Sequence, residues 1–240
     1  MGGDNSIGIE ARGDISGNML VGGSVAAVGE DSVGVSIHGD IGGRLLVSGA
    51  VSSTGYRFTG ALTDATLGDT VLDAEDRTNS GSAFVVNGNV AGGVMVNGPV
   101  SDNVDTALDE ALVSAASVTT RSGSVAMHIV ADVQDIVLGQ VVIPAIADDP
   151  DTADVDESEP QQLLGYSFIN RGTISGTGDL DGVSGQALRI DGGGGFTTTL
   201  SDGMLNVGVI ASTTYGTATK PAIGTAFALG EGAIVPVLNN

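Results

Sequence analysis

A short glycine-bounded block recurs along this chain and constrains its fold more than any other feature. The block occupies residues 12–25 and returns at residues 39–51 and 88–100. Each copy reads glycine, a small polar residue, a β-branched residue, glycine, two or three apolar residues, glycine and then valine. So short a unit cannot bury its own apolar face and must stack on its neighbours, as the repeats of solenoid proteins do. Because turn glycines and β-branched residues fill every copy, the pattern predicts a β-solenoid.

Two further units are less regular. We predict a degraded fourth unit over residues 124–141 and a fifth that opens at Tyr166, where residues 171–176 match residues 12–17 at five of six positions. This match predicts that Arg12 and Arg171 are equivalent and contact their neighbours along a ladder. Later strands are predicted at residues 187–190, 196–200, 205–210 and 226–229.

Three longer insertions interrupt the repeats. The spacing predicts one solenoid domain, residues 1–240, with side loops at about 56–81, 101–121 and 147–163. The first loop contains a candidate short strand at 58–62. In the second, apolar residues at helical spacing over 104–114 predict a short amphipathic helix.

Composition excludes several classes of partner and scaffold. Acidic residues outnumber basic ones by 29 to 8, giving a net charge of −21, so we expect no binding to nucleic acid or to anionic membrane surfaces. The sequence contains no uninterrupted apolar stretch long enough for a transmembrane helix, so we expect no membrane insertion. Cysteine and tryptophan are absent and aromatic residues make up 3%, so the core is predicted to be aliphatic and free of disulfides.

The two ends of the sequence lead to an expectation about assembly. Residues 1–5 have neither the basic start nor the apolar core of a signal peptide, so an exported form is expected to be part of a longer protein. Residues 237–240 resemble residues 168–171, which predicts that the chain stops where another repeat would begin. An uncapped solenoid end is an open sheet edge, so we expect either a continuation of the repeats or head-to-tail self-association.

Several short motifs resemble one family. The lead-in Asn170-Arg171-Gly172-Thr173-Ile174, the Gly-Asp-Ile turns and residues 226–233 are similar to the passengers of autotransporter-type proteins of Gram-negative bacteria. The resemblance implies a right-handed parallel β-helix that is exported to the cell surface and has an adhesive or scaffolding role. The lack of cysteine agrees with such passengers.

Calcium is the one candidate ion, because it prefers carboxylate and carbonyl oxygens. The densest acidic run supplies the candidate ligands Asp148, Asp149, Asp151, Asp154 and Asp156. Their spacing fits neither an EF-hand nor the glycine-rich nonapeptide of calcium β-rolls. A solvated acidic loop therefore remains the alternative to a calcium site.

No catalytic or cofactor-binding residues are predicted. The histidines, His38 and His128, lie at non-equivalent positions of the repeat, and no nucleophile-elbow motif is present. Residues 192–195 are four glycines that precede a predicted strand, so we interpret them as a corner or bulge and not as a nucleotide-binding loop. The sequence thus favours an extracellular structural or adhesive β-solenoid that self-associates end to end and has a surface glycan as a candidate partner. A polysaccharide hydrolase or lyase on a β-helix is the alternative.

Overall fold

The computed structural model describes residues 3–55, 78–98, 115–121, 123–143 and 162–240. Within these ranges the chain forms 22 β-strands and no helix, so none of the described residues forms an apolar helix of membrane-spanning length. The strands are β1 Ile7–Ala11, β2 Met19–Val21, β3 Ser24–Val28, β4 Val33–Ile37, β5 Leu45–Val47, β6 Ala50–Thr54, β7 Phe84–Val86, β8 Val94–Val96, β9 Ser117–Thr120, β10 Val125–Ala131, β11 Ile136–Leu138, β12 Val142–Ile143, β13 Gln162–Leu163, β14 Phe168–Asn170, β15 Thr173–Gly178, β16 Gly185–Gly192, β17 Thr198–Leu200, β18 Met204–Asn206, β19 Val209–Thr214, β20 Gly224–Leu229, β21 Ala233–Ile234 and β22 Leu238–Asn239.

Four of the five sheets are parallel, and in each of them neighbouring strands come from successive repeats. The first sheet has the order β1-β4-β7-β10-β16-β20, the second β2-β5-β8-β14-β18-β22, and the third β19-β15-β9-β6-β3. The corner sheet, β11-β17-β21, is extended towards the first repeat by single parallel bridges that link Ile15, Ile41, Val90 and Leu138. The first five repeats therefore pass through the same sheets in the same order, and the sixth does so as far as the second sheet, an all-β arrangement that fits the predicted β-solenoid.

Ladders of apolar side chains form the core. At paired positions of neighbouring strands the inward residue is apolar in every repeat, so each repeat completes the burial of the one before it. The ladders are Ile9, Val35, Phe84, Met127, Leu188 and Phe227 in the first sheet; Ile15, Ile41, Val90, Leu138 and Leu200 at the corner; Met19, Leu45, Val94, Phe168, Met204 and Leu238 in the second sheet; and Val25, Val51, Val118, Ile174 and Ile210 in the third. The predicted aliphatic core is confirmed, with the addition of two fully buried phenylalanines, Phe84 and Phe168.

The recurring Gly-Asp-Ile turn forms the corner between the first sheet and the corner sheet. A Cβ atom on Gly39 would collide with the carbonyl oxygen of Gly13, so the repeats approach too closely here for any other residue. The aspartate that follows has a different role: Asp14 Oδ1 accepts the backbone N–H of Asp40 at 2.9 Å. The Gly-Asp-Ile turn therefore allows each repeat to stack closely on the next and to form a hydrogen bond with it.

A second apolar cluster lies outside the core, on the outer side of the second sheet. Leu46, Met95, Ile169 and Leu205 form a stripe there, and Val141, Leu164 and Tyr166 pack over it. The strands β12 and β13, which pair antiparallel, join this covering layer. At the first repeat the stripe ends at Leu20, which is 64% exposed.

The register corrects the prediction for the fifth unit. Phe168–Asn170 pairs with β8 of the third repeat, so it belongs to the fourth repeat and does not open a fifth. Arg171 precedes the third sheet, whereas Arg12 follows the first sheet, so the predicted equivalence of these two arginines is wrong. The sequence match was misleading because small residues and glycines mark more than one corner of each repeat.

The end of the chain also pairs one residue away from the predicted register. Leu238, and not Val237, is in the column of Phe168, because both pair with Met204. This register places Asn170, Asn206 and Asn240 in line, and their amides are hydrogen-bonded at 2.7 and 2.6 Å. The shift by one residue thus builds an asparagine ladder beside the second sheet.

The predicted loops lie partly outside the described residues. So do the candidate strand at 58–62 and the candidate helix at 104–114. Of the positions assigned to loops, Ser117–Thr120 instead forms β9 and Gln162–Leu163 forms β13. The single strand predicted at 205–210 is divided into β18 and β19 by a turn at residues 207–208.

Candidate functional site

The outer surface of the first sheet carries the main polar clusters of the described chain. Because side chains alternate across a strand, the residues between the inward ladder positions face outward. The central outward column consists of Glu10, Ser36, Val85, His128, Arg189 and Ala228. Both histidines of the chain lie on this surface at non-equivalent positions, as the sequence predicted.

One cluster surrounds His38 in the first two repeats. The Ser36 hydroxyl lies 2.9 Å from His38 Nε2, and Glu10 Oε1 lies 3.9 Å from the same ring nitrogen. Arg12 pairs with Glu10 at 2.8 Å, and its hydrogen bond holds the pKa of the Glu10 carboxyl below the ordinary value. A Ser-His-acid triad requires the hydroxyl and the carboxylate on opposite ring nitrogens, so this cluster lacks that geometry.

A second cluster surrounds Asp191 in β16. Its carboxylate is nearly buried, and it accepts contacts from His128 Nε2 at 2.7 Å and from Arg189 Nε at 2.5 Å. Two cationic or polar donors thus compensate one buried carboxylate, as burial of a charge requires. Nearby, the Asn87 amide donates to Asp132 Oδ2 at 3.0 Å, while its buried Oδ1 has no hydrogen-bond partner among the described residues.

The corner beside this cluster is longer than elsewhere. Ile41 follows Ile37 by four residues and Val90 follows Val86 by four, but Leu138 follows Ile129 by nine and Leu200 follows Ile190 by ten. The fourth and fifth repeats therefore bulge outward at this corner. The bulge of the fifth repeat contains the four glycines of residues 192–195.

The bulge borders a half-open pocket of about 310 Å³, which we call the corner pocket and which is lined by residues 192–197, Glu231 and Gly232. Its wall is fixed at both ends. Towards the fourth repeat, Gly193 N–H donates to the Ala131 carbonyl and Thr197 N–H donates to Asp135 Oδ1. Towards the sixth, Gly192 N–H donates to the Glu231 carbonyl and Thr198 N–H to the Gly232 carbonyl. The pocket is thus built into the stack of repeats.

Sequence reasoning placed the four glycines at a corner, which is confirmed, but it missed the pocket. The signal was the length of the corner, which becomes visible only once equivalent residues of the repeats are known. The candidate calcium ligands Asp148, Asp149, Asp151, Asp154 and Asp156 lie outside the described residues. Elsewhere, in the ranges the structure describes, no three His, Asp or Glu side chains are grouped to hold a metal ion.

No protein-family model, curated protein or solved structure matches this chain. Its function is therefore inferred from its own geometry.

Proposed function

We propose that the chain is an extracellular structural or adhesive protein, a right-handed parallel β-helix that extends by stacking end to end. Right-handedness is supported by a general rule: connections between parallel strands of one sheet are almost always right-handed. A surface location in Gram-negative bacteria is supported by the acidic, cysteine-free composition and by the passenger-like motifs.

The observation that carries the proposal is that the first and second sheets have an open edge strand at both ends of the stack. Core-ladder positions are half open in both end repeats: Ile9 and Met19 are partly buried at one end, whereas Leu229 and Leu238 are 47% and 48% exposed at the other. A second copy placed in the same register would set its Met19 over Leu238. Its Ala11 would lie over Leu229, so a small residue would meet a large one. The unpaired N–H and C=O groups of β20 and β22 would pair with β1 and β2 of the second copy as they do between repeats, whereas the third sheet ends at β19 and gains no strand from the sixth repeat.

Negative-stain electron microscopy of the purified chain tests stacking. We expect fibres of uniform width in the wild type, and short single rods for Leu238→Lys, because the substitution places a charge at the junction. Val133→Lys is the matched control, since Val133 is 73% exposed and lies at a side corner away from both ends. Single rods in the wild type would contradict end-to-end stacking.

The same imaging, carried out with and without millimolar calcium, tests whether fibre formation requires calcium. Fibres that form only with calcium would support a role for the acidic run at residues 148–159. Identical images in both conditions would favour the solvated acidic loop.

A polysaccharide-active enzyme is the second candidate, and the Asp191 cluster is the observation that favours it. A buried carboxylate held by His128 and Arg189 on a rigid sheet could serve acid–base chemistry on a sugar chain. Release of reducing ends or of unsaturated products from a panel of polysaccharides, lost in Asp191→Asn, would support this candidate. No release from the panel would exclude it for those substrates.

A further inference from the structure

We propose that the corner pocket binds a residue of a neutral glycan. This inference does not depend on end-to-end stacking, but it names the site for the glycan partner expected of an adhesive protein. It rests on the shape of the pocket, on the hydrogen-bonding groups along its wall and on the surrounding charge.

The shape is that of a preformed site for a small ligand. A volume of about 310 Å³ lies at the lower end of the range of small-molecule pockets. The hydrogen bonds from the wall to both neighbouring repeats hold it open without a ligand. The pocket would then lose little conformational entropy on binding.

The wall offers donors, acceptors and one aromatic ring. Gly194 and Gly195 have φ angles of +61° and +92°, and their N–H groups make no hydrogen bond to any described residue. Glu231 also lines the pocket, and its carboxylate, which has no side-chain partner in the described chain, is available as an acceptor. Phe196 lines the pocket too, and its ring lies beside Gly194 and packs partly on the core. A sugar ring combines an apolar C–H face with neighbouring hydroxyls that both donate and accept, and so matches this set.

The surrounding charge selects neutral glycans over acidic ones. Glu231 lines the pocket, and Asp132 and Asp135 lie in the corner of the repeat below it. No lysine or arginine lines the pocket to offset these carboxylates. A uronate or a phosphate would therefore be repelled, in agreement with the net charge of −21.

Amide NMR of the uniformly ¹⁵N-labelled full-length Leu238→Lys chain, which is expected to remain single, tests this site with cellotetraose, chitotetraose, maltotetraose and mannotetraose as probes. We expect one or more of them to shift the Gly194 and Gly195 amide resonances with a Kd on the order of 1 mM. Glu231→Gln should weaken that binding about tenfold, because it removes a charge-assisted hydrogen bond. Gly194→Asn should abolish binding, since asparagine tolerates this φ and its side chain would fill the pocket.

Glu30→Gln is the matched control, because it removes the same charge at an exposed corner of another repeat and should leave the Kd unchanged. Because these titrations use a chain that does not stack, a failure of stacking and a failure of the pocket are distinguishable. No shift with any of the four probes would overturn the proposal. Equal weakening of sugar binding by Glu30→Gln and Glu231→Gln would also overturn it. So would amide shifts that appear with calcium chloride but with none of the sugars.

Discussion

Asp40 Oδ1 accepts the backbone N–H of Asn89 at 2.9 Å, across 49 residues of sequence and one step of the stack. The same oxygen accepts the Asn89 side-chain amide, also at 2.9 Å. Asn89 Oδ1 in turn accepts Val137 N–H at 2.8 Å in the next repeat. Short polar side chains thus continue the inter-repeat hydrogen bonding at a corner where the strands are interrupted.

Replacement of Asp40 tests this corner ladder. Asp40→Ala should destabilise the fold by about 1–3 kcal/mol, because two donors of Asn89 lose their acceptor. Asp40→Asn keeps a carbonyl acceptor and should cost less. Urea unfolding followed by circular dichroism gives both values, and equal losses in the two variants would mean that the oxygen has no such role.

A buried hydroxyl cluster provides a second test of inter-repeat contacts. Ser53, Ser80 and Thr120 lie on three separate segments, and their hydroxyls are mutually 3.2–3.3 Å apart. Thr120→Val should cost about 1–2 kcal/mol, because the buried hydroxyls of Ser53 and Ser80 each lose one hydrogen-bonding contact. The unfolding free energy should reveal this loss.

The triple variant Ser53→Ala/Ser80→Ala/Thr120→Val is the decisive comparison for this cluster. It removes all three hydroxyls together, so it should cost less than the sum of the three single substitutions. Strict additivity would show that the hydroxyls act independently.

The repeats could be predicted because stacking imposes local requirements. At Gly39 and Asp40 the requirement lies within a few residues: no Cβ at the close approach, and a short acceptor for the next turn. The sequence therefore revealed the first three repeats and the β-solenoid class. From the fourth repeat onward, insertions and longer corners change the spacing between the turn residues and the strands. The spacing then no longer identifies which positions of the repeats are equivalent.

The corner pocket and the polar clusters depend on register, which local patterns do not define. His128 and Asp191 are 63 residues apart, and only the pairing of β10 with β16 brings them together. Arg171 was misplaced for the same reason: its local sequence matches that around Arg12, but the register puts the two residues at different corners. Alternation of apolar residues indicates which side of a strand faces inward, but it does not distinguish one sheet of a solenoid from the next.

A conformational test concerns Asp31, which adopts a left-handed backbone with φ of 54°. Asp31→Val should destabilise the fold by about 1–2 kcal/mol, because a β-branched side chain clashes with its backbone there. Asp31→Asn is the control and should be nearly neutral, since asparagine tolerates this region. Thermal unfolding of the two variants measures the difference, and similar melting temperatures would contradict the explanation.

The last prediction concerns the pH dependence contributed by Asp179, which is 4% exposed and whose Oδ2 has no hydrogen-bond partner among the described residues. Burial raises the pKa of this carboxyl, and the charge of Arg121 offsets part of the rise. The folded state therefore holds this proton more tightly than the unfolded state, so the contribution of Asp179 to stability falls as the pH rises above the ordinary aspartate value of 3.8. Asp179→Asn should be more stable than the wild type at pH 7, and this advantage should vanish below that value. Urea unfolding of both proteins across the pH range measures it, and a less stable variant at pH 7 would show that attraction to Arg121 outweighs the cost of burial.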